Sequence, residues 1–569
     1  MAHFHIKKKN GRPYLYVREM ARVNGKVKVA SQVYIGAPER VVELMRGGGD
    51  ESGVRLRVEE FGALWAALQM DVDIDIASII DDVVPKDARE TGPSVGEYFL
   101  YAILNQMVDP RSKRALPEWY ANTAMGIIRP VDTEELSSER YWAKWDRVSQ
   151  EHIEEIQRRF FQRIWEVEKP DADCLLFDTT NYYTFMASEN ESELAKRGKN
   201  KAGRDNLRQV GLGLLVARNT RLPLYSVVYP GNRHDSKLFN SIMEDMFRVV
   251  LDLDKTKERL TVIIDKGMNS EDNFVWIDEH PRIHFITTYS TSYAEDLAAT
   301  NMDLFEPVQT SRNSQLPEED RMVAHRTKRE FWGKERSVIV THYPPTARKQ
   351  DHAFQSKLES LKQELLVMRS KVRDRTPQWR DSDAILERYH RLCEDLHISS
   401  AYYELSFEQS DGQLAMGFRK NVYAVEKKRQ TFGRNIIVTD NKDWTTTDII
   451  EANLDRWEVE WCFRESNSTM SVMPIRHWTD SKIRCHLLCC VVALTYLRRF
   501  ELRMERQGIK RTARDILDDL SHLHSALILD KRSRQPRRMI EHPGKTQEEA
   551  LKALGYRVDT RGVLQAIKK

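Results

Sequence analysis

The sequence predicts an α/β protein built on a mixed sheet covered by helices. Three observations predict it. First, three strand-type runs form a meander: CLLFD (174–178), QVGLGLLVA (209–217) and LPLYSVVY (222–229). Second, helix and strand then alternate, with a helix over 236–250, the strand LTVIID (260–265), a helix near 271–279 and the strand IHFITT (283–288). Third, CLLFD and LTVIID each end on an aspartate after an apolar run, which carries a charge to the rim of a core.

Around this centre the patterns change along the chain. Residues 1–50 read as a small β unit, because PYLYVREMARVNGKVKVASQVYIG alternates and Asn24-Gly25 supplies a hairpin turn. Residues 51–168 read as a helical domain, with FGALWAALQM, VGEYFLYAILNQMV and EEIQRRFFQRIWEV as its clearest helices. The first part of the core covers 169–290 and a less regular insertion 291–445. Inside the insertion, EFWGKERSVIVTHY alternates like a strand. Phe354, Leu358, Leu361, Leu365, Met368 and Val372 mark an amphipathic helix that stops before Pro377. NVYAVEKKRQTFGRNIIVTD looks like a hairpin. Helices at 447–466 and 481–500 fall in a second core segment, 446–505, and 506–569 is a basic C-terminal region.

Composition narrows the function classes. The 569 residues carry 31% charged and 41% hydrophobic side chains and a net charge of +3, so nucleic-acid contact must come from local patches. The apolar run Leu487–Leu497 is too short to span a bilayer, and no secretory signal is visible. Six cysteines in so long a chain make no disulfide framework, and the chain reads as cytosolic. Cys485, His486, Cys489 and Cys490 lie on one apolar helical stretch and read as core, not as a zinc site. Gly211 and Gly213 lie within a strand and lack the third glycine of a dinucleotide fingerprint.

The chemistry centres on Asp178, Asp265 and Glu460, the last within DRWEVEWCFRE. The aspartates are 265 − 178 = 87 residues apart, with three strands and a helix between them. That interval suits neighbouring strands. Converging carboxylates are what hard divalent cations require, and paired metals roughly 3.5–4 Å apart clamp both oxygens of a phosphoryl transfer. Each carboxylate alone reads equally as a turn or helix cap, and Glu460 as the partner of Arg456 one turn away. Basic clusters offer DNA contacts: Lys196, Arg197, Lys199, Lys201 and Arg204 between the first two strands, and Lys531, Arg532, Arg534, Arg537 and Arg538 near the end.

In order, CLLFDTTNYYTF, GRDNLRQVGLGLLVARNTRLPLYSVVYPGNRHD, VIIDKGMNSEDNF and LDRWEVEWCFRESNS…PIRHWTDSKIRCHLLCCVVALTYL resemble the IS4-like DDE transposases, nearest the IS1634-type branch. The resemblance covers roughly 170–500. It implies an RNase H-like core interrupted by an insertion domain, with Asp178, Asp265 and Glu460 as a triad holding two Mg²⁺ (or Mn²⁺) ions. It also implies cut-and-paste chemistry on double-stranded DNA, at terminal inverted repeats and at target, by a homodimer in the DNA complex, with the helical domain 51–168 as a DNA-binding domain. Of the family's Tyr-Arg-Glu-Lys signature, whose basic residues contact phosphate, Arg456 matches the Arg and Glu460 the Glu. The Tyr position falls on Asn453 and the Lys position on Asn467. Arg464 and Lys482 are candidate substitutes for that lysine. Where relatives form a hairpin intermediate an aromatic side chain stacks on a flipped base, and Trp332 and Trp444 are candidates that equally read as core. Two other readings stay open: a DNA-binding protein that kept the fold without catalysis, and a nuclease that cuts without strand transfer.

Overall fold

The structure is a computed structural model. It describes residues 2–9, 12–23, 26–36, 54–87, 90–171, 173–186, 191–198, 206–233, 239, 243–245, 259–410, 413–468, 470–530 and 536–567. The Asn24-Gly25 turn, most of the helix expected at 236–250, and Lys199, Lys201, Arg204, Lys531, Arg532 and Arg534 lie outside the described residues.

The chain divides into two units. One comprises Met1–Val72, Asp87–Tyr141 and Arg499–Lys569; the other comprises Asp73–Lys86 and Trp142–Arg498. In the first, Ala2–Lys9, Arg12–Val23 and Lys26–Gly36 form an antiparallel sheet where the sequence alternates. Val54–Glu60 pairs with His524–Asp530, which pairs with Arg537–Ile540. The helix Val95–Val108 starts where Ser94 and Glu97 form a reciprocal capping box. Phe61, Trp65, Leu523 and Leu551 share one small core.

The second unit is built on a ten-stranded sheet. Its strands are β1 (Cys174–Thr184), β2 (Arg208–Ala217), β3 (Pro223–Pro230), β4 (Leu260–Ile264), β5 (Ile283–Tyr289), β6 (Val323–Phe331), β7 (Lys334–His342) and β8 (Arg434–Thr439), plus the two-residue strands Lys196–Arg197 and Glu306–Pro307. The helices used below are α1 (Gln150–Glu168), α2 (Glu271–Asp278), α3 (Pro344–Arg373), α4 (Ser382–Asp395), α5 (Thr446–Leu454), α6 (Trp457–Ser468) and α7 (Asp480–Glu505).

β1 and β2 are antiparallel, as are β2 and β3, whereas β1 and β4, and β4 and β5, run parallel. The order β3-β2-β1-β4-β5 with these directions is that of the RNase H-like fold. β2 and β4 are buried almost without interruption, which explains why their sequences are continuous apolar runs rather than alternations. Gly211 on β2 is required by close approach, because a Cβ there would lie 2.1 Å from the Tyr229 ring on β3.

Between β5 and α5 the structure departs from two expectations. EFWGKERSVIVTHY is not one strand but the turn and second arm of the β6–β7 hairpin. Trp332 and Gly333 both take positive φ (52° and 72°), which suits a tight hairpin turn. β7 pairs with β8 and β8 with β5, so the hairpin extends the central sheet. NVYAVEKKRQTFGRNIIVTD is not a hairpin. Asn421 caps a helix, Val422–Arg429, by accepting from Ala424 N, and only Arg434–Thr439 is strand. The Glu-Lys-Lys-Arg run favours helix, and buried Val425 anchors it. α3 buries Phe354, Leu358, Leu361, Leu365, Met368 and Val372 against Ile385, Tyr389 and Cys393 of α4 and Met416 of the hairpin Tyr403–Ser410/Gln413–Lys420. Its apolar stripe is thus covered within the chain.

Candidate active site

Strand register brings the two aspartates to one level. β1 and β4 pair as Cys174↔Thr261, Leu175↔Val262 and Leu176↔Ile263, a constant offset of 261 − 174 = 87 residues. Asp178 and Asp265 share that offset, 265 − 178 = 87, and stand two positions beyond the last paired residues on adjacent parallel strands. Neighbouring strands lie about 4.8 Å apart. Alternation along β1 puts Leu175 and Phe177 in the core cluster that also holds Val262 and Ile264. Leu176, Asp178, Thr180 and Tyr182 therefore lie on the opposite face. Both aspartates are partly buried. Asp178 Oδ1 accepts from Thr179 N at 2.7 Å, and Asp265 Oδ2 accepts from Gly267 N at 3.0 Å as it caps a short 3-10 turn.

Helix α6 packs against β1 and β2 through buried Val459, Cys462, Phe463 and Ser466. The Ser466 hydroxyl donates to Cys462 O at 2.9 Å within the helix, and burial pushes up the pKa of the Tyr182 phenol on β1. The sequence reading ran one helix over 447–466; in the structure it breaks at Asp455–Arg456 into α5 and α6. Arg456, Glu460 and Asn467 follow at steps of four and seven, one stripe of a helix. The first of them is in contact with one of the aspartates: Arg456 Nη1 donates to Asp265 Oδ1 at 2.6 Å. Glu460, one turn on, is exposed.

The structure therefore sets Asp178 and Asp265 at one level and joins Arg456 to Asp265, but does not close Glu460 onto them. Among the described residues, no group of three or more His, Cys, Asp or Glu side chains is close enough to hold a metal ion. The donor set still fits a hard divalent cation. Two carboxylates stand in register, and a positive group, the Arg456 guanidinium, already lies on one of them.

The other candidates are dispersed. Asn467 is partly buried with its Oδ1 unpartnered, and Asn453 is partly buried near the end of α5. Arg464 is exposed. Lys482 pairs with Asp146 at 3.1 Å. Lys196 and Arg197 pair with Gln209 and Arg208 at the edge of β2. Trp332 stacks on Phe274 with centroids 3.6 Å apart, a core position. Cys485, Cys489 and Cys490 are buried in α7.

Glu458, two residues before Glu460, carries no motif that marks it in the sequence. Glu458 is nonetheless the perturbed carboxyl of α6, pushed up to about 7 by burial and secondarily by the charge of Asp455, against the opposing pull of Arg221, Arg218 and Arg312. The acid at the start of α6 could have been noticed in the sequence. Its arginine partners, more than a hundred residues away, could not.

The strand order, with Asp178 within β1 and Asp265 directly after β4, defines a protein of the RNase H-like class. Residues 169–496, more than half of the chain, match the transposase DDE domain family. The chain belongs to that family and is an enzyme of the DDE transposase type. Divalent metal ions serve such enzymes. No curated protein matches the chain. Solved structures similar to it include two transposase complexes. One is a piggyBac transposase synaptic complex with hairpin DNA (9% identity, TM-score 0.36, covering 80% of this chain and 79% of that one). The other is a Mos1 transposase paired-end complex with left transposon end (10%, 0.15, 38% and 65%). At these values neither adds to what the strand order shows. No described helix is long and apolar enough to cross a membrane.

Proposed function

We propose that the protein cleaves double-stranded DNA at transposon ends and joins the freed ends to target DNA, with Asp178, Asp265 and Glu460 as its metal-binding triad. The observation that carries the reading is the shared register of Asp178 and Asp265 on neighbouring parallel strands, with Arg456 already on Asp265. Divalent ions, Mg²⁺ in the first instance, supply charge neutralisation at the scissile phosphate and lower the pKa of the attacking water. The chain's own part is placement. Asp178 and Asp265 fix one level on two adjacent central strands of the sheet, and Glu460 closes on that level when DNA and metal are bound. Arg456 exchanges its carboxylate partner for a phosphate oxygen. Water adds to phosphorus as the 3′-oxygen of the transposon end leaves. That 3′-hydroxyl then attacks the phosphorus of a target phosphodiester as the target strand's own 3′-oxygen leaves, and the attacking group's proton passes through solvent to the leaving oxygen. Arg464, Lys199, Lys201 and Arg204 contact the DNA backbone, and two copies of the chain hold the two ends.

Asn467 favours a second reading, a binding protein without catalysis, because an amide there supplies no charge for a phosphate. Excision of a marked element in Mg²⁺ separates the readings. Asp178→Ala, Asp265→Ala and Glu460→Ala are each expected to lose more than about a hundredfold in cleavage, beyond the cost of disturbing a metal's supporting shell. Variants that excise like wild type would remove the assignment. Wild type that binds ends without cutting makes it a binding protein, and cutting without joined product makes it a nuclease.

A further inference from the structure

One residue before the arginine that touches Asp265, the α5–α6 junction carries a second charge arrangement. Asp455 caps the C-terminus of α5 and is bonded on both carboxylate oxygens. Arg218 Nε and Nη2 each lie 2.8 Å from Oδ2, and Arg312 Nη2 lies 2.6 Å from Oδ1. The Asp455 and Arg218 side chains are 14% and 18% exposed, so this pair is largely withdrawn from water, whereas Arg312 is 53% exposed. Withdrawn pairs are costly to break, because the surviving partner keeps an uncompensated charge.

Both arginines come from frames that are themselves held. Arg218 begins the β2–β3 turn, and its N–H donates to Cys174 O on β1 at 3.1 Å. Arg498 Nε donates to Thr220 O in the same turn at 2.6 Å. Arg221 closes the turn at a left-handed φ of 56°, its N–H on Ala217 O and its own carbonyl accepting from Cys462 Sγ of α6. Its guanidinium lies over Trp457 and Trp461, 5.9 and 5.3 Å from the ring centroids. Such a backbone conformation persists only where several contacts determine it. Arg312 sits beside buried Asn313, which bonds Val308 O and Met322 O through Nδ2 and accepts from Met322 N.

We propose that Asp455 is a positioning residue for the transposase reaction. Its two ion pairs lock the α5–α6 junction to the β2–β3 turn and to the short helix Ser311–Ser314 that carries Arg312, so that Arg456 meets Asp265 and Glu460 follows one turn on. The proposal rests on the triad assignment above. Because Asp455 and Arg456 are consecutive, a junction that loses its arginine partners cannot keep the guanidinium on Asp265.

The test compares full-length wild type, Asp455→Asn and Arg312→Ala in single-turnover end cleavage in Mg²⁺, end binding, and amide exchange over 456–464. Asp455→Asn is expected to slow cleavage by about tenfold or more, the scale seen when a supporting residue is removed. End affinity stays within about twofold, and exchange over 456–464 quickens. Arg312→Ala is expected to do the same more weakly, and the double variant to be no slower than Asp455→Asn alone. Asp455→Asn cleaving at the wild-type rate overturns the proposal, as does parallel loss of binding, cleavage and protection across the whole chain. If Asp455→Asn does not fold, Arg312→Ala decides: slowed cleavage with binding kept supports the proposal, and a wild-type rate overturns it. A wild type that never cleaves refutes the triad reading instead, and unchanged exchange over 456–464 in Asp455→Asn then refutes the role of Asp455 as well.

Discussion

Glu60 shows how one buried carboxyl can report on its surroundings. It lies at the end of the strand Val54–Glu60, where Oε1 accepts from Ala63 N at 2.9 Å and Leu64 N at 3.4 Å. Its Oε2 is buried without a partner. Burial pushes its pKa from 4.5 to about 7; the two backbone N–H donors oppose that shift, and the charge of Asp109 adds to it. Between those values the folded state holds a proton that the unfolded state has released, so stability falls as pH rises through the window. Glu60→Gln keeps the acceptor and removes the charge. It is expected to flatten this fall and to strengthen the folded state above pH 7 by about 3 kcal/mol at most. Amide-exchange protection of Gly62–Leu68 followed across that pH range checks it, and an unchanged slope in Glu60→Gln rules it out. At the same scale the aspartates were legible in the sequence because each ends an apolar run, whereas Glu458 and Asp455 sit in a mixed helical pattern that hides them.

Among the elements, those with strong periods were legible. The six apolar positions of α3 predicted its buried face, and the structure buries all six. Leu365, fully buried there, is expected to cost about 2–5 kcal/mol when cut to Ala. The loss should quicken amide exchange in α3 and α4 and leave β1–β5 protected; equal loss in both regions would show that α3 and the sheet unfold together. Elements decided by a single turn or cap were less legible. Trp332-Gly333 turns an alternating run back on itself, and Asn421 starts a helix where a strand pattern continued. The α5–α6 break carries neither Gly nor Pro. It is held by Asp455 and its two arginines, so no local signal announces it.

For the whole molecule, a net charge of +3 makes DNA affinity a property of local cations. Each neutralised phosphate contributes about −0.9 to the slope of log affinity against log salt. Replacing Lys199, Lys201 and Arg204 together by Ala is therefore expected to flatten the slope for end binding by about 3. An unchanged slope, measured by titration at several salt concentrations, would place the contacts elsewhere. Chain order also misleads at this scale. Val54–Glu60 pairs with His524–Asp530, and the helices between them are shared between two units.

The sequence alone determined the centre: an acidic pair 87 residues apart, carried on apolar runs whose burial on both faces leaves little freedom of register. A parallel ladder keeps a constant offset, so the spacing of Asp178 and Asp265 already contained their alignment. Only the tertiary structure decided what holds the junction that carries Arg456. Arg218 and Asp455 are 237 positions apart, and Arg312 and Asp455 143. Ion pairs at such distances leave no period or motif in the chain. They arise when packing withdraws the charges from water together, and it is this packing that aims Arg456 at Asp265.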